Sequence, residues 1–324
     1  MVIVMNNKSK IIILSIILIG IISSIIIYLI MIDNKKTKVE TNDAPVTKNI
    51  SEEEQAYINI GYSLEETQNI IKYMSKKNQD KILNNKYQDI TKYYQIKNFD
   101  FDNIERYRLY EEENKDLALD KVITYVNLYL DENAYLTTEE IVDKESILSS
   151  PNKHYSLGMY EPLDLVTLDR AVGSNNKMRK EASTHLEELL SYAEENGHIM
   201  YPYSAYRSYD EQSRLYTNYK NRDGEEEADT YSARPGFSDH QTGLTTDIRS
   251  SNLGDRLNDD DLEFMINNSY KYGFILRYPE GKENITRYVY ENWHYRYVGK
   301  EAAKIIHDND LTLDEYYDLY VKEY

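Results

Sequence analysis

The chain contains no cysteine. That absence excludes disulfides, cysteine-ligated zinc, thiol catalysis and a lipid-modified cysteine together. Positive charge is also scarce: 38 Lys and Arg stand against 56 Asp and Glu, for a formal net charge of −18. Polyanions are bound through clustered Lys and Arg, so this balance argues against a nucleic-acid partner. No internal repeat stands out. Tyrosine, by contrast, is plentiful, with 33 residues in 324. Tyrosines pack as apolar rings with a polar tip and imply no cofactor by themselves. The length suffices for one to three domains with a buried core.

Charge is missing altogether from residues 11–32, a run of 22 dominated by Ile and Leu. About 20 apolar residues span a bilayer as a helix. A cleaved signal peptide has a shorter apolar core that ends in small residues, and Tyr28-Leu29-Ile30-Met31-Ile32 offers no such site. The expectation is a single-pass membrane anchor behind a cytoplasmic tail, residues 1–10. Lys8 and Lys10 precede the run and Lys35, Lys36 and Lys38 follow it, so flanking charge does not set the orientation. Extracellular placement of the rest follows from the chemistry below. Residues 33–52 are polar and read as a tether.

Residues 53–150 carry helical patterns. Ser63-Leu64-Glu65-Glu66 has the spacing of a capping box, with Ile70, Ile71 and Met74 following at helical intervals. A second periodic stretch, 116–129, is built on Leu119, Val122, Ile123 and Val126, and 136–140 reads as another helix start. Nothing in this region carries recognisable chemistry, and it reads as a helical spacer or binding module. After Pro151 the character changes. An amphipathic helix is expected over 180–196, ended by Gly197, then a strand over 199–203 and a helix over 210–219. A loop entering a strand follows over 236–247, then a helix over 259–272 stopped by Gly273, and a Tyr/Val-alternating strand over 287–298. The fold class expected for residues 151–324 is α+β, a small antiparallel sheet flanked by helices.

Two segments carry metal chemistry. In Ser238-Asp239-His240-Gln241-Thr242-Gly243-Leu244-Thr245-Thr246-Asp247, a glycine turn lets His240 and Asp247 converge. Glu291-Asn292-Trp293-His294 adds a second imidazole and a second carboxylate. Two imidazoles, one carboxylate and an open position make a catalytic zinc shell, and a carboxylate off the metal is the usual proton carrier. One Zn2+ held by His240, Asp247 and His294, with Glu291 as base, is therefore expected. Residues three apart on a regular strand point to opposite faces, so Glu291 and His294 can meet only if the chain bends at Asn292-Trp293. His154, His185, His198 and His307 lack such neighbours. Trp293 reads as packing beneath the site.

These segments resemble the VanY-type D-alanyl-D-alanine carboxypeptidases. Ser238, His240, Gly243 and Asp247 follow that family's Ser-x-His-x-x-Gly-x-Ala-x-Asp pattern, and Glu291-Asn292-Trp293-His294 its Glu-Pro-Trp-His segment. Tyr206-Arg207-Ser208 through Gln212 looks like its Tyr-Arg-Ser-x-x-x-Gln stretch. Thr245 stands where Ala is usual and Asn292 where Pro is usual. The resemblance implies a zinc-dependent D,D-carboxypeptidase that removes the terminal D-alanine from peptidoglycan stem peptides. It implies catalytic and substrate-binding roles for Arg207, and contacts from Gln212 and Ser238 to the substrate's free carboxylate. An L,D-carboxypeptidase acting on tetrapeptide stems shares the same shell and stays open. A free D,D-dipeptidase suits a tethered extracellular protein poorly, and a non-catalytic wall-binding protein would not need Glu291.

Overall fold

A computed structural model describes residues 50–88, 90–251 and 256–322. The apolar run at 11–32 expected to form the anchor lies outside these residues. Among the described residues no helix is long and apolar enough to cross a membrane. The chain divides into two compact units, Met1–Thr67 and Gln68–Tyr324.

In the first unit, helix Glu52–Asn59 starts at a capping box between Ser51 and Glu54. Ser63 opens the helix Leu64–Tyr73, within which the division at Thr67 falls, and pairs reciprocally with Glu66, as its spacing predicts. In the second unit the helices Lys76–Asn85, Ile104–Glu113 and Leu119–Asn127 come first. The segment 136–140 departs from expectation. It forms no helix; strand β1 (Glu139–Glu140) runs parallel to β2 (Tyr155–Ser156). The Glu139 and Ile141 amides donate to the carbonyls of His154 and Ser156. No apolar face follows Leu136 to hold a helix there, and Leu136 and Val142 are exposed.

Strands β3 (Leu165–Thr167) and β4 (Lys177–Arg179) form a hairpin ahead of helix Lys180–Glu195. The central sheet is antiparallel and four-stranded. It contains β5 (Met200–Ser204), β6 (Thr245–Ser250), β7 (Phe274–Leu276) and β8 (His294–Tyr297) in the order β5-β6-β8-β7. The strand expected over 287–298 is thus only four residues long. A short helix, Glu283–Thr286, and a loop occupy the approach to it.

Register divides the side chains of this sheet between two faces, because alternate residues point opposite ways. Ile248, Phe274, Tyr295 and Tyr297 turn to one side, where they join Leu186, Leu189, Leu190 and Ala193 of helix Lys180–Glu195 in the main core. Thr245 pairs with Arg296 and Asp247 with His294 across β6 and β8, and all four point to the other side. At the far edge of that side Ile275 packs on Ala302, Ala303 and Ile306 of helix Lys300–Asp308. The mixture of helices with small sheets is the α+β class expected.

Candidate metal centre

The polar face of the sheet brings the metal-centre residues together. Asp247 and His294, 47 positions apart, are direct cross-strand partners, and facing side chains on antiparallel strands start about 5 Å apart. His240 arrives from the 3-10 turn Asp239–Thr242, which Gly243 (φ +68°) closes before β6 begins. A side chain at Gly243 would press on Leu165, Arg179 and Pro162, so the turn needs glycine for space as well as for φ. Glu291 reaches the site because the chain turns at Asn292-Trp293: the His294 amide donates to the Glu291 carbonyl at 3.3 Å. This is the bend that a regular strand could not supply.

Ligand atoms of His240, Asp247 and His294 all lie within 4.8 Å of one another, and all three residues are buried. His240 Nε2 is 3.5 Å from Asp247 Oδ2, and His294 Nδ1 is 3.3 Å from Asp247 Oδ1 and 3.2 Å from Glu291 Oε2. Each separation is near the edge of a tetrahedron with bonds of about 2.0–2.1 Å, with the two imidazoles meeting different oxygens of Asp247. Burial lowers the His294 imidazole, but Asp239, Asp247 and Glu291 outweigh it and raise it well above its ordinary range; at His240 the electrostatics favour the neutral form. His240 Nδ1 sits 2.8 Å from the Ala205 carbonyl and must donate there, which leaves the Nε2 lone pair facing a carboxylate. Burial pushes the His240 imidazole down to about 3 despite the opposing pull of Asp247, so it stays neutral. Asp247 Oδ1 is buried without a hydrogen-bond partner. A cation satisfies that oxygen and both lone pairs at once, and the residues present therefore fit a zinc ion.

One participant escaped the sequence reading. Asp239, fully buried, places Oδ2 3.4 Å from His294 Nε2. A carboxylate there fixes the tautomer, with the proton on Nε2 and the lone pair on Nδ1 toward the metal position. Burial would raise the Asp239 carboxyl, but Arg296, His294 and Arg277 hold it well below the ordinary range. Both arginines are buried: Arg296 bonds Asp239 directly, and Arg277 is tied at 2.7 Å to Asp314. Thr245 Oγ1 also donates to Asp239, at 2.5 Å, which gives the threonine at this position a purpose. Asn292, the other departure, bonds the Leu257 carbonyl at 3.2 Å. The signal for Asp239 was its place inside the Ser-x-His segment, but its partner is visible only once the strands are in register.

Around the metal position opens a cleft of about 630 Å³ that includes Arg207, Gln212, Ser238, Tyr278, Tyr288 and Trp293. Arg207 donates to Gln212 Oε1 at 2.9 Å and to Ser204 Oγ at 3.1 Å. The Gln212 amide donates in turn to the Ala233 carbonyl at 2.6 Å. Gln212 thereby links Arg207 to the Ala233 carbonyl at the wall of the cleft. Burial raises the Glu291 carboxyl against the lowering effect of His294. The remaining histidines stay apart; His185 and His198 pair with Glu188 and Asp261.

A family model described as VanY, D-alanyl-D-alanine carboxypeptidase, matches residues 175–300. The Bacillus subtilis (strain 168) protein named "Putative carboxypeptidase YodJ" is 46% identical over 191 residues, covering 56% of this chain and 70% of that protein. A D-alanyl-D-alanine carboxypeptidase of Enterococcus faecium is 32% identical over 206 residues, 63% of each chain. Among solved structures, that of the LdcB LD-carboxypeptidase is similar at 45% identity and a TM-score of 0.53, covering 56% of this chain and 90% of that one.

Proposed function

From the premise that this chain belongs to the VanY-type D-alanyl-D-alanine carboxypeptidase family, we propose that it is a zinc carboxypeptidase that removes the C-terminal D-alanine of peptidoglycan stem peptides. The observation that carries this reading is the convergence of His240, Asp247 and His294 with Glu291 3.2 Å from His294.

In this reading His240, Asp247 and His294 hold the ion. Zinc, when bound, supplies a Lewis acid that polarises the scissile carbonyl and acidifies water. Glu291 then accepts the proton of the attacking water and passes it to the leaving amine. Its burial suits that role, since desolvation raises the carboxyl above its ordinary range and makes it a stronger proton acceptor. Arg207, aimed by Gln212 and Ser204, offers N–H donors to the substrate's carboxylate or to the oxygen that gains charge in the transition state. Ser238 lines the same cleft and is placed to add a hydroxyl contact to the substrate. Asp239 acts through His294 by holding its tautomer.

The residue before the terminal D-alanine divides the reading. The family description and the E. faecium relative support D,D cleavage of pentapeptide stems. A second reading, L,D cleavage of tetrapeptide stems, has the higher identity behind it, 45% across most of the LdcB LD-carboxypeptidase. We further propose that residues 11–32 anchor the enzyme with its catalytic unit outside the cell, where such substrates lie.

The test is a pair of matched peptides, tetra- and pentapeptide, incubated with protein stripped of metal and then reloaded with zinc. Release of free D-alanine from one of them, abolished by chelation and restored by zinc, is the expected result. The peptide preferred assigns D,D or L,D. No release from either by protein shown to bind one zinc per chain would sink the proposal.

A further inference from the structure

The loop that presents Glu291 is held from outside the matched region 175–300. Residue 287 begins it: Arg287 caps the helix Glu283–Thr286 in a left-handed conformation (φ +61°) and turns its guanidinium away from the cleft. There Nη2 donates to the carbonyls of Tyr129 at 2.8 Å and Glu132 at 2.5 Å. That turn, just after helix Leu119–Asn127, is itself pinned. Arg106 forks onto Asp131 at 2.6 and 2.8 Å, and donates to the Val126 carbonyl at 2.9 Å. The next residue of the loop, Tyr288, is buried, and its hydroxyl lies 3.3 Å from that of Tyr135. Tyr135 packs edge-on against Phe237 and accepts from the Arg234 amide at 3.3 Å. From Tyr288 the contact passes inward: its ring meets Tyr278 at 4.9 Å, and Tyr278 meets the His294 ring at 4.8 Å. The loop closes with the Val289 amide on the Thr230 carbonyl and the Glu291 amide on the Tyr278 carbonyl.

A second observation points to the same place. Among the described residues five non-glycine residues have positive φ, and three of them, Tyr129, Tyr135 and Arg287, meet at this junction. Such conformations are disfavoured for residues with a side chain and persist where surrounding contacts over-determine them, as they do around functional sites.

We propose that the turn at 129–135 is a positioning element of the active site: through Arg287 and Tyr288 it fixes the loop that sets Glu291 beside the metal ligands. The helical segment upstream of the matched region thereby gains a role in catalysis. This inference rests on the reading of Glu291 as the proton carrier.

Arg287→Gly in the full chain is the informative variant. Glycine accepts the left-handed turn at a helix end without strain, so folding is preserved while the guanidinium is removed. The expected result is a 10- to 100-fold fall in kcat, roughly what a small misplacement of a catalytic group costs. Zinc affinity should stay within twofold of the parent, and the Val289 and Glu291 amides should exchange faster in hydrogen–deuterium exchange. Arg287→Lys, which keeps one donor, should recover part of the kcat. Tyr135→Phe should shift the same amides with a smaller loss. Unchanged exchange at 287–291 in Arg287→Gly, or kcat within twofold of the parent, overturns the proposal. If the parent protein releases no D-alanine from any stem peptide, the functional reading has failed, and the exchange comparison still decides whether the turn holds the loop.

Discussion

The two faces of the central sheet are made by the same four strands and obey opposite physics. On the face toward helix Lys180–Glu195, Ile248, Phe274, Tyr295 and Tyr297 sit in an apolar core, where stability grows with area removed from water. On the other face Thr245, Asp247, His294 and Arg296 are just as buried but polar. There burial is unfavourable unless every charge has a partner. One residue's step along β6 or β8 crosses from one regime to the other. The apolar face makes the sheet stable, and the polar face uses that stability to hold carboxylates and imidazoles in positions they would otherwise leave.

The comparison predicts that substitutions on the polar face cost function and those on the apolar face cost stability. The largest effects are expected at the residues proposed as metal ligands and base. His294→Ala should remove zinc and lower D-alanine release by about 10³-fold or more. Glu291→Gln should keep zinc, measured by metal analysis, while turnover falls by about 10²–10⁴-fold; zinc-replete Glu291→Gln with near-normal turnover would remove Glu291 from the mechanism. Arg296→Leu tests the buried clamp. Breaking a buried ion pair costs about 3–5 kcal/mol, so urea denaturation should show that loss together with weaker zinc binding. Loss of stability with zinc affinity intact would separate the clamp from the site. On the apolar face, Ile248→Ala should cost about 2–5 kcal/mol and leave turnover per folded molecule unchanged, which active-site titration with zinc can check. The smallest effect is expected at Thr245→Ala, which removes one hydroxyl from Asp239. About 1 kcal/mol and a few-fold weaker zinc affinity are expected, and an unchanged affinity would show that Asp239 is held without the Thr245 hydroxyl.

The same division explains what could be read in the sequence. The helix Lys180–Glu195 was legible because its apolar side repeats at helical spacing, and Gly197 and Gly273 marked ends that the structure places at φ +90° and +88°. The residues that converge, His240, Asp247, His294 and Glu291, were legible because their types and spacing suit metal chemistry, and the bend at Asn292-Trp293 followed from strand parity alone. Asp239, Arg277 and Arg296 were not legible: their meaning lies in which strands are neighbours, and β6 and β8 are separated in sequence by two helices, a 3-10 turn and β7. The segment at 136–140 misled because helix-start residues also cap turns, and the carbonyls of His154 and Ser156 that captured it are distant enough to be invisible locally. Arg287 was read as part of a strand, whereas its left-handed φ and its grip on the 129–132 turn belong to tertiary structure.

The pairing of Asp247 with His294 has one more consequence. A slip of β8 by a single residue against β6 would carry His294 and Arg296 into the oily layer and swing Tyr295 toward the ion. A chain paired that way has lost one of the three residues proposed to hold the ion. If zinc is held as proposed, its retention would report assembly: preparations could be sorted by metal content, and the fraction that fails to hold zinc would mark strands joined out of step.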